Sequence, residues 1–219
     1  MLIEILDDFD LEKIALSGQC FRVKRMQDDG YRFIFGDEVL YIREIGNHRF
    51  SVSCSLDAWR NTWSFYFDLN RSYNDIFEME CDKHQFIHEA MLYGRGLRIL
   101  RQDPWEMLIT FIISQRKNIP AISKSIEMLA SKFGHCIKTG YETLYSFPSP
   151  LEMSCATDEK LAECGLGYRT PYILDAIQQV LTGSLDLEAL LDCNDEQLLE
   201  TLQKVHGVGK KVANCVALF

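Results

Sequence analysis

The sequence predicts an α+β chain: an N-terminal antiparallel β-sheet with packed helices, followed by an all-α domain. Three observations predict it. Tyr31, Phe33 and Phe35 alternate along one run, and short candidate strands follow at 39–43 and 49–54. From about Cys81 the apolar period changes from 2 to 3.6. Asp103-Pro104-Trp105-Glu106 then reads as a helix start, with Asp as N-cap, Pro at the first helical position and Glu two positions later. The boundary is placed between residues 80 and 81, giving domains 1–80 and 81–219.

The elements follow in order. Gly36-Asp37 and Gly46-Asn47 punctuate the three strands as hairpin turns, so the first third is an antiparallel meander. Residues 56–67 place Trp59, Trp63 and Phe67 at steps of four, one face of a helix that Ser55 caps and whose aromatic stripe belongs to the core of the β domain. Residues 107–114 are almost wholly apolar, which marks a central buried helix. The next starts near Asn118, sets Ile119, Ile122, Ile126, Leu129 and Phe133 on one face, and ends at Gly134. Thr157 opens a short helix closed by Gly165. Residues 168–181 form another, Asn194 and Gln197 cap one running to about Val205, and a last helix follows the Gly207–Gly209 turn.

Composition narrows the class. Over 219 residues, 47% are hydrophobic and 25% charged, which is ordinary globular usage and excludes disorder. No apolar run reaches the roughly 18–20 residues that span a bilayer. The acidic start carries no cleavage pattern, and none of the 8 cysteines falls in a C-x-x-C spacing, so reduced thiols in a cytoplasm are expected. The net charge of −9 is unevenly spread. Residues 91–140 hold 8 Lys/Arg against 3 Asp/Glu, and residues 202–219 hold 3 against 0. An anionic ligand responds to those local patches rather than to the sum.

Four short segments are candidates for chemistry. Val205-His206-Gly207-Val208-Gly209-Lys210-Lys211 is a two-glycine turn at a helix N-terminus, where backbone N–H groups and the dipole favour anions. Spacing alone leaves a phosphate site and a plain helix corner equally open, and the lack of acids in 202–219 tilts the balance to phosphate. Ser17-Gly18-Gln19-Cys20-Phe21-Arg22 is by itself only a small polar turn entering a strand. Ser114-Gln115-Arg116-Lys117-Asn118 is a basic loop between two apolar helices, either solvated or set for phosphate and base contacts. Gly165-Leu166-Gly167-Tyr168-Arg169 ends one helix and begins another, and Arg169 reads as a local ion-pair partner or a DNA contact.

Together, in this order and along essentially the whole chain, these segments resemble the 8-oxoguanine DNA glycosylase/AP lyases of the helix–hairpin–helix glycosylase superfamily. The Trp59/Tyr66-Phe67-Asp68-Leu69 and Leu100-Arg101-Gln102-Asp103-Pro104 stretches share in the resemblance. It implies a TATA-binding-protein-like N-terminal domain and a helix–hairpin–helix glycosylase domain. It also implies base-excision repair: an N-glycosylase removing 8-oxoguanine and other oxidised purines from duplex DNA, with AP lyase activity. Lys211 is the implied nucleophile, whose amine forms a Schiff base with the sugar before β-elimination. Gly18 is the implied reader of the oxidised base through its carbonyl, and Cys215 the residue that stacks on the flipped base. Arg116, Lys117, Asn118, Arg169, His206, Gly207, Gly209 and Lys210 are the implied DNA contacts. The carbonyls of Gln203, Val205 and Val208 would hold a structural monovalent or divalent cation beside a phosphate, and no cofactor is required.

The chain departs from the family pattern at several positions. His206 stands where proline is usual, which implies a less rigid hairpin. Arg116 replaces an asparagine that fills the space of the extruded base, and Ala121 replaces an arginine, so strict cytosine preference opposite the lesion is not implied. The family's catalytic aspartate lies on a loop beyond Phe219. The expectation is therefore a chain incomplete relative to its family, either a fragment or a short product of little activity, with an apolar face at 216–219 left uncovered. The implied protein is a monomer that binds double-stranded DNA containing oxidised guanine and no membrane, cytoplasmic and nucleoid-associated in a bacterium or nuclear in a eukaryote. Two alternatives stand beside it: a non-catalytic helix–hairpin–helix DNA-binding chain, and a related glycosylase for another lesion.

Overall fold

The computed structural model describes residues 1–80 and 84–219. Cys81, where the helical period begins in the sequence, lies outside the described residues. The chain forms two compact units, Met1–Ile34 with Glu38–Arg101, and Gln102–Phe219 with Phe35–Asp37. The α+β class is as expected. No helix among the described residues is long and apolar enough to cross a membrane.

The first unit is built on a five-stranded antiparallel sheet in the order β1-β5-β4-β3-β2. Its strands are β1 (Leu2–Glu4), β2 (Lys24–Arg25), β3 (Tyr31–Phe35), β4 (Glu38–Gly46) and β5 (Arg49–Val52). The meander β3–β4–β5 is the one read from the sequence, and β1 pairs on β5 with Ile3 opposite Phe50. Between β1 and β2, α1 (Leu11–Leu16) is capped by the Asp10 carboxylate, which accepts from the Lys13 N–H.

The aromatic stripe is helical but not uniformly α. α2 (Leu56–Ala58), capped by Ser55, runs into a π-helical turn (Trp59–Trp63) and then α3 (Ser64–Tyr66). The Ser64 N–H donates five residues back to the Trp59 carbonyl. Trp63 and Phe67 are fully buried, and Phe67 packs edge-on against Phe9 at 5.3 Å and Phe33 at 5.2 Å between ring centroids.

α4 (Tyr73–Glu80) and α5 (Gln85–Gly94) complete the unit. It extends to Arg101 rather than residue 80 because the segment after α5 is stitched into it. Fully buried Arg98 donates to the carbonyls of Phe67, Asp68 and Arg71 and to the Asp7 carboxylate. The Leu100 N–H donates to Gln19 Oε1, and the Arg101 N–H to the Tyr66 carbonyl. This changes the reading of the basic zone 91–140. Arg95, Arg98 and Arg101 pair with Asp8, Asp7 and Asp68 and belong to the architecture of this unit.

The second unit is mainly helical. α6 (Pro104–Ser114) is capped by Asp103, and its residues from Trp105 to Ile113 are buried. α7 (Ile119–Phe133) is capped by Asn118 and ends at Gly134. One departure from the all-helical expectation follows: a two-stranded ribbon of β6 (Cys136–Lys138) and β7 (Thr143–Tyr145), pairing Ile137 with Leu144. Three-residue strands are too short to establish a period, so the pattern does not show them. Then come α8 (Asp158–Ala162), α9 (Thr170–Leu181), α10 (Asp195–Leu202) and α11 (Lys210–Leu218). α6 lies against α7, α9 and α11, which explains a helix apolar on every side. At the end of α11, Phe219 stacks on Phe111 at 5.7 Å and its carbonyl accepts the Gln102 N–H, while Leu218 is exposed.

Candidate functional site

α10 and α11 form the arms of the hairpin predicted around the two glycines. Val205 and Val208 are buried and anchor the turn, and the Val208 N–H donates to the Val205 carbonyl at 3.0 Å. Gly207 sits at φ +82°, a left-handed conformation, and a Cβ there would lie 2.3 Å from Cδ2 of the Tyr172 ring. Glycine is required twice over: by the backbone angle and by the ring laid against it. Gly209 is the N-cap of α11 and has no side chain to occupy the first N–H groups. Those donors are the feature that makes such a corner receptive to an anion.

His206 does not simply loosen the hairpin. Its N–H, which a proline would lack, donates to Asp175 Oδ2 of α9 at 2.8 Å. Its ring meets Tyr172 edge-on at 4.6 Å. The rigidity that proline would have supplied comes instead from a hydrogen bond and a ring contact.

Lys210 and Lys211 open α11 and both are exposed. Among the described residues neither has a carboxylate partner. The two point about 100° apart around the helix. Cys215, half-buried, lies one turn beyond Lys211 on the same face. The three carbonyls expected to hold a cation are on this corner. That of Val205 takes one N–H and keeps a second lone pair, and Gln203 is exposed. A neutral carbonyl set is suited to a hard cation. Among the described residues no group of three or more His, Cys, Asp or Glu gathers to hold a metal ion.

The loop between α6 and α7 belongs to the same unit. Arg116 is exposed at φ +50°. Asn118 spends its side-chain oxygen capping α7 through the Ala121 N–H. Lys117 turns inward: Nζ donates to Ser125 Oγ at 2.5 Å and to the Gly165 carbonyl at 2.9 Å. Burial, and then the charge of Arg169, hold its ammonium below the usual lysine range. Arg169 departs from the ion-pair reading of the sequence. It is 6% exposed, and its partners are carbonyls rather than a carboxylate. Nε and Nη2 donate to the Gln115 carbonyl, the first at 3.1 Å, and Nη1 to the Leu166 carbonyl at 3.1 Å. Of the four side chains expected to reach DNA from this region, Arg116 is the one held out to solvent without a local task among the described residues.

In the first unit, Gly18 is at φ +80° with open space where a Cβ would be, so the backbone angle alone selects glycine. Gln19, 1% exposed, fixes the motif by donating to the Arg98 carbonyl and accepting from the Leu100 N–H, both at 2.8 Å. The Tyr66 hydroxyl approaches Cys20 Sγ at 3.6 Å.

Comparison with known proteins agrees with this arrangement. The family model described as 8-oxoguanine DNA glycosylase, N-terminal domain, matches residues 1–108. The crystal structure of an 8-oxoguanine glycosylase/lyase from Clostridium acetobutylicum, in its apo form, superposes with a TM-score of 0.95 at 34% identity, over 100% of this chain and 76% of that one. The chain belongs to the 8-oxoguanine DNA glycosylase family. The same Clostridium protein in complex with duplex DNA containing cytosine opposite 8-oxoG matches at 33% identity and a TM-score of 0.92, over 100% of this chain and 78% of that one. An N-glycosylase/DNA lyase of Saccharomyces cerevisiae is 37% identical over 177 residues, 74% of this chain and 46% of the yeast protein. The chain spans about half the length of the curated relatives it matches.

As a member of the 8-oxoguanine DNA glycosylase family, the chain carries one feature the sequence did not disclose, the Tyr172 ring under Gly207. Its only trace is a tyrosine in the first turn of α9, and nothing in its spacing points to residue 207.

Proposed function

We propose that the chain acts in base-excision repair, removing 8-oxoguanine and related oxidised purines from duplex DNA and then cutting the strand as an AP lyase. The observation that carries this is the placement of Lys211: exposed, in the first turn of α11, directly after a two-glycine hairpin whose N–H groups favour a phosphate, with Cys215 on the same face. The hairpin would hold the DNA backbone while the Lys211 amine attacks C1′ of the damaged nucleotide. The N–C1′ bond to the base breaks with its electron pair leaving on the base, which takes up a proton. The sugar ring then opens as the C1′–O4′ bond breaks and O4′ takes up a proton. The resulting iminium between Nζ and C1′ acidifies C2′, and loss of that proton expels the 3′ phosphate. Water then releases the lysine. Gly18 would accept the N–H that distinguishes the oxidised base from guanine, and Cys215 would stack on its face. Arg116, His206 and Lys210 would contact the DNA backbone or the opposite strand. A cation on the carbonyls of Gln203, Val205 and Val208 would neutralise phosphate charge. Such a protein works where its DNA is, in a nucleoid or a nucleus.

Borohydride trapping on a duplex containing 8-oxoguanine tests this directly. Wild type and Lys210→Gln should form a covalent adduct, and Lys211→Gln should not. Trapping by Lys211→Gln would refute the assignment.

A further inference from the structure

The region around Arg116 has an arrangement that DNA contact alone does not explain. Lys117 and Arg169 are neighbouring cations, both drawn inward, and among the described residues neither has a carboxylate partner. A lysine in such a place loses hydration and meets a like charge, and burial followed by Arg169 depresses its protonation accordingly. A side chain with four rotatable bonds would swing to water unless its hydrogen bonds offset that cost. Here Nζ bridges Ser125 of α7 and the Gly165 carbonyl, 48 residues on. On the other side of the turn, Arg169 and the Tyr168 hydroxyl converge on the Gln115 carbonyl. Residues 115 and 117 are thus both fastened to the 165–169 turn. Arg116, between them, is held at φ +50°, a conformation unfavourable for a residue with a Cβ.

We propose that Lys117 is a positioning residue: together with Arg169 it clasps the Gln115–Asn118 turn to the Gly165–Arg169 turn and so holds Arg116 in its strained, outward pose for contact with DNA. The inference rests on the DNA-repair reading above. It assigns to Lys117 a role inside the fold, in place of the phosphate contact its charge suggests. Holding a side chain in its bound conformation raises affinity by reducing the ordering required on binding.

A double-mutant cycle on affinity for an 8-oxoguanine duplex, followed by fluorescence anisotropy across a salt series, separates the possibilities. Lys117→Met should weaken binding about tenfold, and in an Arg116→Ala background it should change binding less than about twofold. In that background the log–log salt slope should also stay fixed, whereas a lysine touching phosphate would take about 0.9 from it. Equal effects in both backgrounds, or a slope loss without Arg116, would overturn the proposal. Ser125→Ala, a milder change that removes one acceptor, should follow the same pattern at about threefold in the wild-type background, so the test survives if Lys117→Met does not fold. Duplex binding by the wild type with an additive cycle would sink the clasp and leave the repair reading intact. No duplex binding by the wild type would sink both.

Discussion

Replacing Gly207 with alanine probes the hairpin at its tightest point. Two costs are legible in the geometry. Holding alanine at φ +82° costs about 1–2 kcal/mol. The new Cβ would also lie 2.3 Å from Cδ2 and 2.4 Å from Cγ of Tyr172, a ring contact that cannot be relieved by turning a flexible chain end. Overpacking of that kind costs about 1–3 kcal/mol. Alanine restricts the unfolded chain and returns about 0.4–1 kcal/mol. The net loss should be about 2–4 kcal/mol, read as a lowered midpoint in urea unfolding at unchanged slope. In a Tyr172→Ala background the steric part disappears, and Gly207→Ala should cost only about 0.5–1 kcal/mol more than that background alone. Gly18→Ala is a natural comparison, since φ is +80° there but nothing lies within 4 Å of the added carbon. It should lose only the backbone part. A Gly207→Ala loss below about 1 kcal/mol, or the same loss with and without the Tyr172 ring, would refute the steric argument.

Three further outcomes are expected. Lys210→Ala should flatten the salt dependence of duplex binding by about 0.9 in log–log slope while leaving borohydride trapping in place, and an unchanged slope would remove Lys210 from the phosphate contacts. Asp103→Ala should destabilise the second unit by about 1 kcal/mol, because Asp103 accepts the Glu106 N–H at 2.7 Å as the cap of α6, and thermal unfolding would show no change if water replaced it fully. Burial alone would raise the Asp7 carboxyl, but the N–H groups of Tyr73, Asp8 and Asn74 and the Arg98 side chain outweigh it and hold the group below the ordinary aspartate range. Its stabilising contribution is therefore complete above about pH 4 and lost as pH falls through the lowered value; Asp7→Asn should flatten that acid limb in a pH series of unfolding midpoints.

What the sequence disclosed and what it withheld divide along physical lines. The meander, both capped helices at Asp103 and Asn118, and the glycine corner were legible because periodicity, capping and positive φ are local properties, written in adjacent residues. The local tasks of Lys117 and Arg169 were not legible because their acceptors are backbone carbonyls and one serine hydroxyl, groups too common along the chain to mark a position. The same holds for His206, whose missing proline suggested a looser turn until Asp175, 31 residues earlier, supplied the bond. The net charge of 91–140 misled in part, since a count cannot separate arginines paired with Asp7, Asp8 and Asp68 from those held out to solvent. β1 and the β6–β7 ribbon were too short for any period to register.

The wide turn at 59–63 has a bearing on how this segment can vary in length. A π-helical turn accommodates one residue more than an α-helix would use to reach the same orientation. Deleting one residue between Trp59 and Trp63 would let the helix close into a regular spiral with everything beyond it in nearly the same orientation. Tyr66 and Phe67, whose rings interlock with Phe33, would keep their register with it, whereas a second deletion would rotate them by about 100°. Point changes at exposed positions such as Arg60 and Asn61 leave that orientation alone. A single-residue gap between Trp59 and Trp63 should therefore be tolerated among relatives that keep this core, while longer gaps should be scarce.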